Sequence, residues 1–380
     1  MPLATTLVAL LACVAGVLGH PSSEEDKKAY LETRSRVIAH TRRSLERCAD
    51  SPEARALEER AVARRMAKAE ELRAKYGLNK GEPLPFFLSF FYLAMSERQK
   101  RTEQTTEGGG DKRDRQWFQH YNGLSHDMSY KGYNLNTPAK TLFSSNTTCA
   151  LVPETIIGPY YVEGELIRSD ITDGQKGVRA HVDYQFINIR TCKPMPDLLI
   201  DIWHCNALGV YSGVSAPGQG GLDTTYGRGV QKTDADGVVQ FDTIFPGHYE
   251  GRATHIHVMS TDHARVLPNG TFEGGTVRHI GQTYFDESVI KAVEATEPYR
   301  RNPARRTTNL QDFFAGDQAT PQYDPFVKHV YLGKKPQDGL LLFLSIGLDP
   351  DADYNECRTP AAHWHPGGGE DLPDPQFCNM

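Results

Sequence analysis

The chain has 380 residues, room for one large domain with appendages or for two domains. Its 42 Lys and Arg stand against 48 Asp and Glu, a mildly acidic balance that argues against a nucleic-acid binder. The 34 Gly and 23 Pro suit a turn-rich β architecture better than a helical bundle.

Met1 to Gly19 is uncharged and apolar, contains Leu7-Val8-Ala9-Leu10-Leu11 and closes on Val17-Leu18-Gly19. It reads as a signal peptide over 1–19, which makes the protein secreted and extracellular. The apolar run is too short for a membrane span, and no later segment is long and apolar enough for one. Without Cys13, six cysteines remain: Cys48, Cys149, Cys192, Cys205, Cys357 and Cys378. An even count outside the cell suggests disulfides, with pairing left open. Asn146-Thr147-Thr148 and Asn269-Gly270-Thr271 are glycosylation acceptors.

Residues 20–80 form a helical arm. Tyr30, Val37 and Ile38 recur at helical spacing in a Gly-free stretch, and the first helix runs from Glu24 to about Cys48. Ser51-Pro52-Glu53 offers an N-cap and a proline at the first helical position, so a second helix runs to about Lys75. The pair reads as an α-helical hairpin for packing or for homodimer formation. Residues 81–148 form an irregular linker or insertion, with an apolar block at Pro85–Leu93 and a polar run through Gly108-Gly109-Gly110.

From 149 to 350 the pattern is β. Strands are expected at Arg179–Arg190, Leu198–His204, Val238–Ile244, Thr254–Met259, Arg278–Phe285 and Leu340–Ile346, with a turn at Asp234-Ala235-Asp236-Gly237 and a short helix over Asp286–Ala295. The fold class is mainly β: a β-sandwich catalytic domain with the N-terminal hairpin attached. Residues 351–380 form a Pro- and Gly-rich tail, in which His363 and His365 are expected on a solvated loop.

The chemistry concentrates in Pro246–His257. His255 and His257 alternate around Ile256, so on a strand both imidazoles face one side. Two imidazoles alone fit zinc, copper or iron. Tyrosines narrow the choice, because a phenol ionises near ~10 and needs a strongly acidic cation to bind as phenolate at neutral pH. Tyr211 and Tyr249 each follow a strand beside glycine or proline; Tyr160, Tyr161, Tyr184, Tyr226 and Tyr284 compete with them. His204 and His248 lie off the alternating register and read as supporting or structural. Two phenolates and two imidazoles make iron(III), non-heme, the expected metal.

Gly158-Pro159-Tyr160-Tyr161, Asp201–Asn206, Gly209-Val210-Tyr211-Ser212 and Arg252–His257 occur in the order found in the intradiol ring-cleavage dioxygenases, and over about 149–350 the chain resembles that family, most closely its secreted fungal-type branch. The resemblance implies Tyr211, Tyr249, His255 and His257 as metal ligands. It implies catalytic roles for Tyr249 as proton acceptor, for Arg252 as a stabiliser of charge on the substrate, and for Gln282 in Gln282-Thr283-Tyr284-Phe285. It also implies O2 and a catechol-type small molecule as substrates, and ring opening between the hydroxylated carbons to a muconate-type diacid. The connection from Tyr249 to His255 is tighter than in the bacterial catechol enzymes of that family, which bears on substrate preference. Two other readings of the residues are a secreted β-sandwich binding module with a remnant metal site, and a zinc hydrolase with Glu250 as base.

Overall fold

Thirteen strands and three α-helices are built around one sandwich in this computed structural model, which describes residues 51–78, 112–129, 157–312, 314–315, 319 and 324–373. The expected signal peptide and the first helix of the hairpin lie outside these residues. The second helix is α1, Pro52–Lys75. Ser51 caps it as its sequence predicts, Oγ accepting from Ala54 N at 3.0 Å.

The strands are β1 (Val162–Glu163), β2 (Arg179–Asn188), β3 (Leu199–Trp203), β4 (Arg228–Lys232), β5 (Val238–Ile244) and β6 (His255–Asp262). They continue through β7 (Arg265–Val266), β8 (Phe272–Glu273), β9 (Thr276–Tyr284), β10 (Lys328–Tyr331), β11 (Leu340–Leu348), β12 (Ala362–His365) and β13 (Gly368–Asp371). Two four-stranded sheets form the sandwich, in the orders β10-β11-β2-β5 and β4-β3-β6-β9. The first contains one parallel pair, β2 with β11, and the second is antiparallel throughout.

Period-two alternation decides which residues fill the gap between the sheets. Val182, Tyr184 and Phe186 of the first sheet meet Ile200, Ile202, Ile256 and Val258 of the second in one buried cluster. Tyr184 reaches across it, Oη 2.6 Å from Thr283 Oγ1. The same alternation turns Trp203, His255, His257 and Gln282 to the outer face of the second sheet.

The outer face of the first sheet is covered by α1. Leu72 and Ala69 pack on Leu341 and Phe343, and Arg64 and Arg65 close on the buried Asp183 at 2.9 and 2.8 Å. α1 therefore serves as a packing arm on its own domain. Within the stretch expected to be irregular, Lys112–Asn122 forms helix α2. Phe118 and Tyr121 of α2 pack with Ala253, Tyr284 and Phe326 behind the second sheet. His126, just beyond, pairs with Asp286 and lies 2.9 Å from Asp324. The helix expected at Asp286–Ala295 is α3, Glu287–Glu294.

Two expectations need correction. The tail carries strands: β12 and β13 form a hairpin, and β12 pairs in parallel with β1, so His363 and His365 sit on a strand. Flanking Pro and Gly mark the turns of that hairpin, where the sequence reading takes them for loop. Among the cysteines, Cys192 and Cys357 are disulfide-bonded, while Cys205 is free and buried. Its thiol instead donates to Gly247 O at 3.4 Å.

Candidate metal centre

His255 and His257 open β6, with Trp203 on β3 and Gln282 on β9 directly across the ladder from His257. The imidazoles are 2% and 3% exposed, so water does not compete for them. His255 Nδ1 lies 2.6 Å from Ala253 O, which makes it the N–H donor and leaves the lone pair on Nε2. That Nε2 is 3.0 Å from His257 Nε2 and 3.3 Å from Tyr249 Oη. Burial and the nearby Arg252 hold His255 down to about 3, and burial with His255 holds His257 well below its ordinary value. Both are neutral lone-pair donors at physiological pH.

Tyr211 completes the group from the loop between β3 and β4. Its ring packs edge-on against Tyr249 at 5.6 Å and His257 at 6.3 Å between centroids. Its Oη is buried beside the Tyr249 hydroxyl and makes no hydrogen bond of ordinary length among the described residues. A buried phenol without such a bond is costly unless something else occupies it. Burial pushes both phenols above their ordinary range, so in the protein alone they stay protonated. A trivalent cation reverses that preference and takes them as phenolates.

The surroundings hold these donors in place. Trp203 stacks on the His257 ring at 4.7 Å and 6°. Gly158, at φ +81°, lies over the same ring, and a Cβ there would come 3.1 Å from His257 Cε1. Tyr160 lies against Tyr211 at 4.9 Å, and Gln219 Oε1 accepts from Tyr211 N at 2.7 Å. The loop carrying Tyr249 is tied down through His248, whose Nε2 lies 3.0 Å from Ala304 O and whose Nδ1 lies 2.6 Å from Glu294. His204 bonds Cys205 O and Thr243 Oγ1 at 2.8 and 2.9 Å. Neither residue joins the four donors.

Arg252 is buried beside them. Its Nη2 donates to Gln282 Oε1 and, at 3.2 Å, to Tyr284 Oη, and its Nε donates to Asp312 Oδ2 at 3.0 Å. The sequence reading missed Asp312. The same carboxylate accepts from Ala253 N at 2.7 Å, Phe314 N at 2.7 Å and Ala315 N at 3.0 Å, and thereby fixes both Arg252 and the entry to β6. Trp203 stands in the Asp201–Asn206 motif, but only the ladder register shows that it lies against His257. Glu250, the base in the zinc-hydrolase reading, is exposed, whereas both imidazoles are buried.

Two neutral imidazoles and two buried phenols stand together on one face of the sandwich, a set of two N and two O donors. The residues fit iron(III). A family model described as Dioxygenase matches residues 156–266, the segment holding Tyr211, Tyr249, His255 and His257. An intradiol ring-cleavage dioxygenase from Tetranychus urticae is 31% identical, over 55% of this chain and 98% of that one, with a TM-score of 0.45. The dioxygenase domain of a carbohydrate-binding fusion protein from Streptomyces sp. SirexAA-E is 25% identical, over 52% of this chain and 98% of that one, with a TM-score of 0.36. Catechol 1,2-dioxygenase 1 of Acinetobacter lwoffii is 27% identical over 139 residues, 30% of this chain; the match spans 44% of that relative. Over this shared sequence the chain is similar to the intradiol ring-cleavage dioxygenases.

Proposed function

We propose that the protein is a secreted non-heme iron(III) dioxygenase. It uses O2 to cleave catechol-type rings between the two hydroxylated carbons and gives muconate-type diacids. The observation that carries this reading is the approach of His257 Nε2 and Tyr249 Oη to His255 Nε2, at 3.0 and 3.3 Å, beside the buried Tyr211 Oη.

When bound, ferric iron supplies Lewis acidity toward the two catechol oxygens. The chain supplies the rest. His255 and His257 hold the metal as neutral donors, with the His255 tautomer set by Ala253 O. Tyr249 Oη, on the half-buried loop, accepts a substrate proton. The Arg252 guanidinium, anchored by Asp312, stabilises negative charge that develops on the ring. Gln282, fixed between Arg252 and Tyr284, lines the same wall. Trp203 and Gly158 keep water from His257.

Secretion is supported by the apolar N-terminus and by disulfide bonding at Cys192 and Cys357. Asn269 is exposed at the turn joining β7 to β8.

The test is oxygen uptake by the iron-loaded protein with catechol, protocatechuate and hydroxyquinol, with 18O2 labelling of the product. Consumption of at least one substrate, with both labelled atoms in a muconate-type diacid, is the expected result. No uptake with any of the three, or cleavage outside the diol, overturns the proposal.

A further inference from the structure

Arg228 begins β4, directly across the ladder from Trp203, and is 1% exposed. It grips Ser212, the residue after Tyr211. Nε donates to Ser212 O at 3.1 Å and to Ser212 Oγ at 3.0 Å, and Nη2 donates to Ser212 O at 2.7 Å. Ser212 Oγ passes the chain on, donating to Tyr226 O at 2.6 Å. The close approach depends on Gly213, at φ +71°, where a Cβ would lie 3.2 Å from Arg228 Nε.

On its other side Arg228 faces carboxyl groups. Glu165 Oε1 lies 3.8 Å from Nε. Glu165 is 1% exposed, and neither of its oxygens has a hydrogen-bond partner among the described residues. Asp201, on β3, is also buried, with Oδ2 lacking a partner. The Arg228 Cζ is 6.0 Å from the centroid of the Tyr211 ring. A permanent cation thus lies inside the protein with the Tyr211 ring and a buried acid both near it.

A main-chain clamp alone would not need a charge. Placed a few ångströms from a phenolate in a water-excluded interior, a charge acts far more strongly than it would in solvent. Groups behind a metal ligand set both its orientation and its donor strength.

We propose that Arg228 is a positioning residue for Tyr211: it fixes that ligand's main chain through Ser212, and its charge weakens the phenolate's electron donation, with Glu165 setting how much of the charge Tyr211 feels. The inference rests on the ferric reading of the site. It separates two roles that single variants can resolve. Arg228→Lys keeps the charge and loses the two-pronged hold on Ser212. Arg228→Met loses both. Glu165→Gln keeps the hold and removes the opposing carboxylate. Burial pushes the Glu165 carboxyl up to about 7, so spectra belong at pH about 8.5, where it is ionised.

The experiment records the tyrosinate-to-iron absorption band of the full-length iron-loaded protein and its variants, with iron content and melting temperature. A phenolate in a more positive field holds its electrons more tightly, so its band lies at shorter wavelength. Arg228→Met is expected to move the band to longer wavelength and Glu165→Gln to shorter wavelength. Arg228→Lys is expected to leave it in place while lowering the melting temperature. If Arg228→Met does not fold, the opposed behaviour of Glu165→Gln and Arg228→Lys carries the test. Iron-loaded Arg228→Met and Glu165→Gln proteins whose bands both stay at the wild-type position reduce Arg228 to a structural clamp and overturn the proposal. A wild-type protein that binds iron without such a band overturns the ferric reading itself, and the inference with it.

Discussion

The chain contains two H-x-H pairs on strands, and they have opposite surroundings. His255 and His257 lie on an inner strand of a four-stranded sheet, buried, with ring centroids 4.7 Å apart at 75°. His363 and His365 lie on β12 of the small tail sheet, where His365 is exposed, with centroids 6.4 Å apart at 32°. His363 Nδ1 is engaged 3.0 Å from Glu163 Oε1. Both pairs obey the same alternation, so spacing alone does not make a metal centre. The β6 pair gains two phenols from other loops and a tryptophan that closes over it. Among the described residues no three His, Cys, Asp or Glu side chains stand together to hold a metal; beside the β6 pair stand Tyr211 and Tyr249.

The comparison breaks most sharply at the ligands. His257→Ala is expected to abolish the visible band and oxygen uptake and to weaken iron retention by at least ~100-fold, the upper end of what outer groups cause. Iron content after gel filtration measures it. Next comes the support that only the β6 pair has. Asp312→Ala leaves Arg252 buried without its carboxylate and is expected to cost about 3–5 kcal/mol in urea unfolding. The oxygen-uptake rate should fall with it, since Arg252 loses its orientation.

A smaller effect separates the β6 pair by pH. The folded value of His255 lies near about 3, below its unfolded value of about 6.5. Its contribution to stability is therefore present above about 6.5 and lost as pH falls toward 3. The metal-free protein should show His255 imidazole NMR shifts of the neutral form at pH about 5 and a melting temperature that declines with acid over that window. His126 works the other way. Asp286 and Asp324 overcome its burial and raise it to about 10, so its stabilisation is complete below about 6.5 and fades as pH rises through 10. Melting curves of wild type and His126→Asn should converge at high pH. The smallest effect belongs to the tail: His363→Ala and His365→Ala should leave colour, iron content and uptake unchanged.

Much of this was legible in sequence because the strands obey a simple alternation. Six strands were read near their observed places, and the α1 start followed from Ser51 and Pro52. The short strands were missed, β4 among them: Arg228-Gly229-Val230-Gln231-Lys232 shows one apolar residue, because Arg228 is buried by its bonds to Ser212. Helix α2 lay hidden in polar sequence, since its burial rests on Phe118 and Tyr121 meeting residues more than a hundred positions away. Asp312 left no local signal. Its partners are Arg252 and backbone amides brought to it by folding, and no spacing rule encodes that meeting.

The central claim is that Tyr211, Tyr249, His255 and His257 bind one ferric ion. Resonance Raman spectra of the iron-loaded protein, excited in its visible band, test it most directly. The account predicts one iron per chain and enhanced tyrosinate vibrations from two ligands, reduced to one set in Tyr211→Phe. A folded protein that holds one iron and shows no tyrosinate vibrations would contradict it.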